Sequence, residues 1–124
     1  MSALRLATSE APMKNLANHK LMEEELYERR AGICKAFANP VRLKILDLVA
    51  KRARPVSEIR HRLGISEANL SQHIAVLKAA GVVGTRRTGK QVHCFLAIPE
   101  VKAACSLISD VLRAQVKNGR RLGI

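Results

Sequence analysis

The sequence predicts a mainly α-helical domain that carries one small β-hairpin, on three observations. Most apolar residues recur at helical spacing, in five stretches divided by Pro, Gly or Asn. Only the stretch from Val82 to Leu96 reads instead as two short strands, turning at Thr88-Gly89-Lys90. Between Val56 and Gly81 a short helical segment, a Gly turn and a second, capped helical segment follow one another without a gap.

That third stretch organises the rest. Val56, Ile59 and Leu63 fall at helical spacing, and Gly64 suits the left-handed residue that ends a helix. Ser66 is placed to cap the next helix, Glu67 to Ala80, in which Leu70, Ile74 and Leu77 share one face. Asn69, Ser71, Gln72 and Lys78 fall elsewhere on it. A short helix closed by Gly, then a capped helix with a polar outer face, is the build of a helix-turn-helix reader.

Residues 1–18, with Pro12 and no sustained period, are expected to form a flexible N-terminal arm. The domain proper is expected over 19–118. Its first helix, His19 to Ala38, carries the stripe Met22, Leu26, Ile33 and Phe37, with Tyr27, Ala31, Cys34 and Ala38 beside it. Asn39-Pro40 breaks the pattern as a cap and a first helical residue. The helix Pro40 to Lys51 is apolar on most of its surface and should lie centrally. Lys51-Arg52-Ala53-Arg54 reads as a basic connection. After Gly81, the strands Val82–Arg87 and Gln91–Leu96 form a wing whose tip carries Arg86, Arg87 and Lys90. Pro99 opens a last helix to about Asn118, striped by Val101, Ala104, Cys105, Ile108, Val111 and Leu112, and 119–124 is a C-terminal tail. The predicted order is α-α-α-α-β-β-α, a winged helix-turn-helix.

Composition bounds the function. The chain has 124 residues, one domain's worth, and its 2% aromatic content implies an aliphatic core. The formal net charge is +12, of which residues 40–98 supply +8. Positive charge concentrated on the helix-turn-helix and hairpin is the footprint of a polyanion binder. No apolar run reaches the roughly 18 residues a membrane span needs, so no membrane association is expected. Three scattered cysteines make no disulfide framework, and a cytoplasmic protein with reduced thiols is expected. There is no Gly-rich phosphate loop, no paired carboxylates on a shared face and no Ser-His-Asp or Cys-His spacing. Neither an enzyme nor a cofactor is expected.

Three motifs carry a family resemblance. Lys35-Ala36-Phe37-Ala38-Asn39-Pro40-Val41-Arg42-Leu43-Lys44-Ile45-Leu46 resembles the KALANPxRLxIL stretch of the ArsR/SmtB repressors. Asn69 through Lys78 is similar to their SQHLxxLR recognition helix, and Gly81-Val82-Val83 through Val92 to their wing. The motifs stand in the family's order and cover about Ile33 to Ala97. The resemblance implies a homodimer joined through its first and last helices. It also implies that the homodimer binds a palindromic double-stranded DNA operator, represses transcription, and is released by a small inducer that the sequence does not identify. Family metal sensors place ligands at the start of the first helix of the helix-turn-helix or on the last helix. Here the first position reads Arg54-Pro55-Val56-Ser57-Glu58-Ile59, without Cys or His, and the last helix has Asp110 but no His, so no metal site is expected.

The expected DNA-binding residues are Glu67, Asn69, Ser71, Gln72, His73 and Lys78 on the recognition helix, with Arg86, Arg87 and Lys90 on the wing. Asn69 and Gln72 can offer an amide donor and acceptor together to adenine. Ser71 and His73 suit phosphate or mixed contacts. Glu67 either accepts from cytosine or favours the helix N-terminus. The wing cations suit phosphate or minor-groove contacts.

The resemblance also bears on the cysteines. Persulfide-sensing relatives link one cysteine on an early helix to one on the last helix. Cys105 matches the last-helix member approximately, whereas the early position holds Asp47 and Cys34 lies just before the motif instead. Cys34 and Cys105 are therefore either a sensing pair, for reactive sulfur, oxidant or soft metalloid, or small buried hydrophobes. Cys94 reads as core, and His93 as structural or DNA-adjacent. The competing function is a constitutive basic winged-helix protein binding DNA or RNA, with structural cysteines only. Its RNA form lacks stacking platforms if Tyr27, Phe37 and Phe95 all face the core.

Overall fold

The computed structural model describes residues 16–119, with side chains from Met22 onward. The expected arm therefore lies outside the described residues up to 15, and the tail does from 120. The described chain divides after Ala31 into two units, taken here in turn.

The first unit contributes the body of helix α1, Leu16–Phe37. The helix begins three residues before the expected His19, because Leu16 and Ala17 are good helix formers and nothing between them and His19 breaks it. Met22, Leu26 and Tyr27 are exposed, and the Arg30 guanidinium lies 5.9 Å from the centroid of the Tyr27 ring.

The second unit starts with the last turn of α1, whose Ala36 and Phe37 enter the core. Helix α2 spans Pro40–Lys51. Asn39 caps it with Oδ1 accepting from Arg42 N–H at 3.0 Å, and Pro40 occupies the first turn where no N–H is needed. Its Ile45, Leu46 and Val49 are buried. As expected, α2 is central, packed against the helix-turn-helix, the sheet and the last helix.

Helix α3, Val56–Leu63, ends at Gly64 with φ 65°, whose N–H donates to the Arg60 carbonyl at 2.9 Å. Helix α4, Glu67–Ala79, is capped by Ser66, whose Oγ accepts from Asn69 N–H at 3.1 Å. Leu70, Ile74 and Leu77 are its buried face, as the spacing predicted. Gly81, at φ 79°, turns the chain so that Val82 N–H returns to the Leu77 carbonyl at 3.1 Å.

The hairpin forms from β2, Val83–Thr88, and β3, Gln91–Leu96, with Gly89 at φ 63° in the two-residue turn. A third strand was not anticipated. The segment read as a basic connection holds β1, Arg54–Pro55, which pairs antiparallel with β3 and makes the sheet order β1-β3-β2. Two residues, one of them proline, carry no alternation to read; only the neighbouring strand defines them. Helix α5, Glu100–Lys117, closes the chain and packs on α2 through Val101 and the half-buried Ala104 and Cys105.

Ile45, Leu46, Ile59, Leu70, Leu77 and Cys94 are fully buried, so α2, α3, α4 and β3 each send residues to one aliphatic centre. Phe37 is the only aromatic residue in that cluster. Two aromatic placements are corrected. Tyr27 is 64% exposed, and Phe95 lies half-buried outside the core, because its strand position pairs with Gly84 on the face opposite Cys94.

Candidate nucleic-acid interface

Helix α4 and the hairpin behind it carry the expected site, and each is held from below. On α4 the apolar face locks Leu70, Ile74 and Leu77 into the core, which leaves Glu67, Asn69, Ser71 and Gln72 exposed. These four present two amides, a hydroxyl and a carboxylate, the donor and acceptor mix that base edges require.

His73 departs from the outward position expected of it. It is half-buried, with Nδ1 3.2 Å from Nη1 of Arg42 on α2. The reason is angular: one residue on from Gln72, the helix has turned toward α2. The same Arg42 donates from Nε to the Ala36 carbonyl at 2.8 Å and from Nη2 to the Lys35 carbonyl at 3.2 Å.

Lys78 is exposed but tethered. Its Nζ donates to Thr85 Oγ1 at 2.8 Å and so joins the end of α4 to β2. On the wing, Phe95 lies across Gly84, where an added Cβ would stand 2.7 Å from the ring's Cζ. Arg86, on the same face, places its guanidinium 5.1 Å from the Phe95 centroid. Arg87 and Lys90 are exposed at the tip and have no hydrogen bond or ion pair to any described residue. Two wing cations are thus free and a third is stacked. His93 sits beside this face, paired across the strands with Arg86 and Pro55, its Nδ1 shut from solvent without a partner among the described residues.

An ion cluster braces the entry to the helix-turn-helix. Arg54 is 5% exposed and donates to the Leu48 carbonyl at 2.7 Å and to Glu58 Oε2 at 2.6 Å. Arg62 and Arg52 reach the same oxygen at 3.0 and 3.6 Å. Hydrogen bonding from Arg54 holds the Glu58 carboxyl below its ordinary value, against a smaller opposing effect of burial.

The cysteines separate. Cys94 is fully buried in the core and burial pushes its thiol up to about 11, as its strand position foretold. Cys34 is exposed, and Cys105 is half-buried. Burial raises the Cys105 thiol, and the Asp47 carboxylate adds to the rise. The residue at the early cysteine position of the persulfide sensors is therefore an acid close to Cys105.

The central segment, residues 37–86, matches a helix-turn-helix domain model. The regulator Rv0081 of Mycobacterium tuberculosis, known as an uncharacterized HTH-type transcriptional regulator, is 37% identical over 90 residues, 72% of this chain and 79% of that protein. Its crystal structure superposes with a TM-score of 0.71 over 75% of this chain and 94% of that one. The chain belongs to the ArsR-like winged helix-turn-helix regulators. Another relative, the biofilm growth-associated repressor of Xylella fastidiosa, is 36% identical over 67% of this chain and 75% of its own. Mb0332 of Mycobacterium bovis, a possible ArsR-family regulator, has a homodimeric winged helix-turn-helix domain in solution. It is 29% identical, with a TM-score of 0.73 over 80% of this chain and 92% of that one. Such regulators act on transcription through DNA, the class of partner that the charge and exposed polar face of α4 and the wing suit. No described helix is long and apolar enough to cross a membrane.

Sequence reasoning missed Arg42 and Phe95 as parts of this site. Arg42 stood in plain view as one of four charged residues on a mostly apolar helix, but its partner His73 is 31 positions away. For Phe95 the clue was Gly84, a strand glycine, which marks a close approach.

Proposed function

We propose that this ArsR-like regulator is a repressor that binds a palindromic double-stranded DNA operator as a homodimer and is released by a small inducer. One observation carries the reading: Glu67, Asn69, Ser71 and Gln72 stand exposed on a helix whose other face is locked in the core, beside a wing with unpaired Arg87 and Lys90. Polar groups read base edges while the cations hold the backbone. The homodimer is supported by Mb0332 and by α5, where Leu107, Ile108, Val111, Leu112 and Val116 remain exposed along an apolar stripe. The stripe of α1 offers Met22 and Leu26 in the same way.

The experiment is to bind the protein to a random-sequence duplex pool and amplify what is retained. The reading requires enrichment of one inverted repeat, bound by two chains. Equal retention of random duplex and single-stranded RNA would overturn it in favour of a constitutive basic nucleic-acid binder.

For release, the proposed trigger is thiol chemistry at Cys34 and Cys105. Exposure makes Cys34 the accessible thiol of the two. A persulfide or oxidant should weaken binding to the enriched duplex, and Cys34→Ser or Cys105→Ser should remove the response. The raised Cys105 thiol favours a second reading, in which Cys105 only packs, no cysteine pair senses and the inducer acts elsewhere. Variants that respond like the parent would select it.

A further inference from the structure

We infer that Arg42 is a positioning residue for DNA reading: it joins the end of α1 to the recognition helix and holds His73 in one tautomer, with the hydrogen on Nε2. The inference rests on the proposed operator-binding reading and deepens it. A guanidinium has donors only, so the His73 Nδ1 that faces Nη1 at 3.2 Å must be the acceptor. The ring is then neutral at Nδ1 and carries its one hydrogen on Nε2. His73 thereby becomes a donor of fixed sense, suited to a purine N7 or O6.

The other two donors of Arg42 are equally committed. Nε binds the Ala36 carbonyl, whose helical donor would have been the missing N–H of Pro40, and Nη2 joins Ala38 N–H on the Lys35 carbonyl. The backbone of Arg42 is itself pinned by the Asn39 cap. One planar group thus spans three elements: it closes α1, stands on the first turn of α2 and sets a side chain on α4. A displacement at the end of α1, immediately after Cys34, reaches the recognition helix through this group. Lysine cannot substitute, since a single ammonium cannot bind two carbonyls and an imidazole in this fork geometry.

The test uses the full chain, the duplex enriched above and a shuffled duplex of the same composition. Arg42→Lys keeps the charge, so affinity for the shuffled duplex and its salt dependence should not change. Selectivity for the enriched duplex should fall about tenfold. His73→Phe, which leaves the carbonyl bonds of Arg42 in place, should lose a similar factor while melting like the parent. Long-range proton–nitrogen NMR of the free protein supplies a direct signature. The parent should show His73 with hydrogen on Nε2 alone, and Arg42→Lys a mixture of tautomers. A parent ring protonated on Nδ1, or variants that keep the parent's selectivity, would overturn the inference. If no duplex is enriched, the operator reading fails and takes the role in DNA reading with it; the NMR result then reports whether the tie itself exists.

Discussion

Arg54 and Glu58 illustrate how much a single contact decides. A buried guanidinium is stable only if its donors are used, and here the Leu48 carbonyl and Glu58 Oε2 use them. Replacing Arg54 by Met leaves that carbonyl without its donor and should cost about 2 kcal/mol, read as a lower urea midpoint at unchanged slope. The pH dependence follows from the sign of the Glu58 shift. Its folded value lies below the unfolded one, so its stabilisation is present above the unfolded carboxylate range and is lost as pH falls through the folded value. Melting temperature should therefore drop more steeply below about pH 5 in the parent than in Glu58→Gln. Gly84 makes a second test at this scale. A methyl group there meets the Phe95 ring at 2.7 Å, so Gly84→Ala should destabilise by about 1–2 kcal/mol. In a Phe95→Ala background the same change should cost almost nothing, and calorimetry of the four proteins reads the coupling.

Among the elements, the wing was the most legible and strand β1 the least. Gly89 between two alternating runs announces a hairpin, and the register Thr88↔Gln91 follows from its two-residue turn. Strand β1 announces nothing, since Pro55 cannot donate to a ladder and Arg54 resembles any surface cation in a basic run. Function divides along the same element. Arg87 at the tip has no hydrogen bond or ion pair among the described residues, whereas Arg86 is stacked on Phe95. Arg87→Ala should lower the slope of log affinity against log salt by about one unit and leave base preference unchanged. Gln72→Ala should do the reverse, weakening the enriched duplex while leaving the salt slope in place. Filter binding across a salt series distinguishes the two.

At the scale of the molecule, charge and apolar surface have separate places. Residues 40–98 hold eleven Lys and Arg against three acids, while α5 leaves Val111 58% exposed within an apolar stripe. A surface of that kind on a small regulator calls for a partner, and an isologous pairing buries each stripe against its copy. Val111→Asp should convert the protein to a single chain by sedimentation, with its helical circular dichroism retained. It should also lower affinity for an inverted repeat far more than for one half-site, because the two recognition helices are then no longer linked.

What the chain order alone determined is local: the Asn39 and Ser66 caps, the Gly64 and Gly89 turns, and the buried face of α4. Each depends on residues within a turn or a hairpin of one another, so spacing reveals it. The family motifs lie in those same segments, which is why the fold and the exposed polar residues of α4 were visible together. Tertiary structure alone settled that His73 leans on Arg42, that Lys78 holds Thr85 and that Phe95 covers Gly84. These pairs join separate elements, and neither partner leaves a periodic trace of the other. Their contact depends on how helices and strands pack, which is settled by the shape of the whole core.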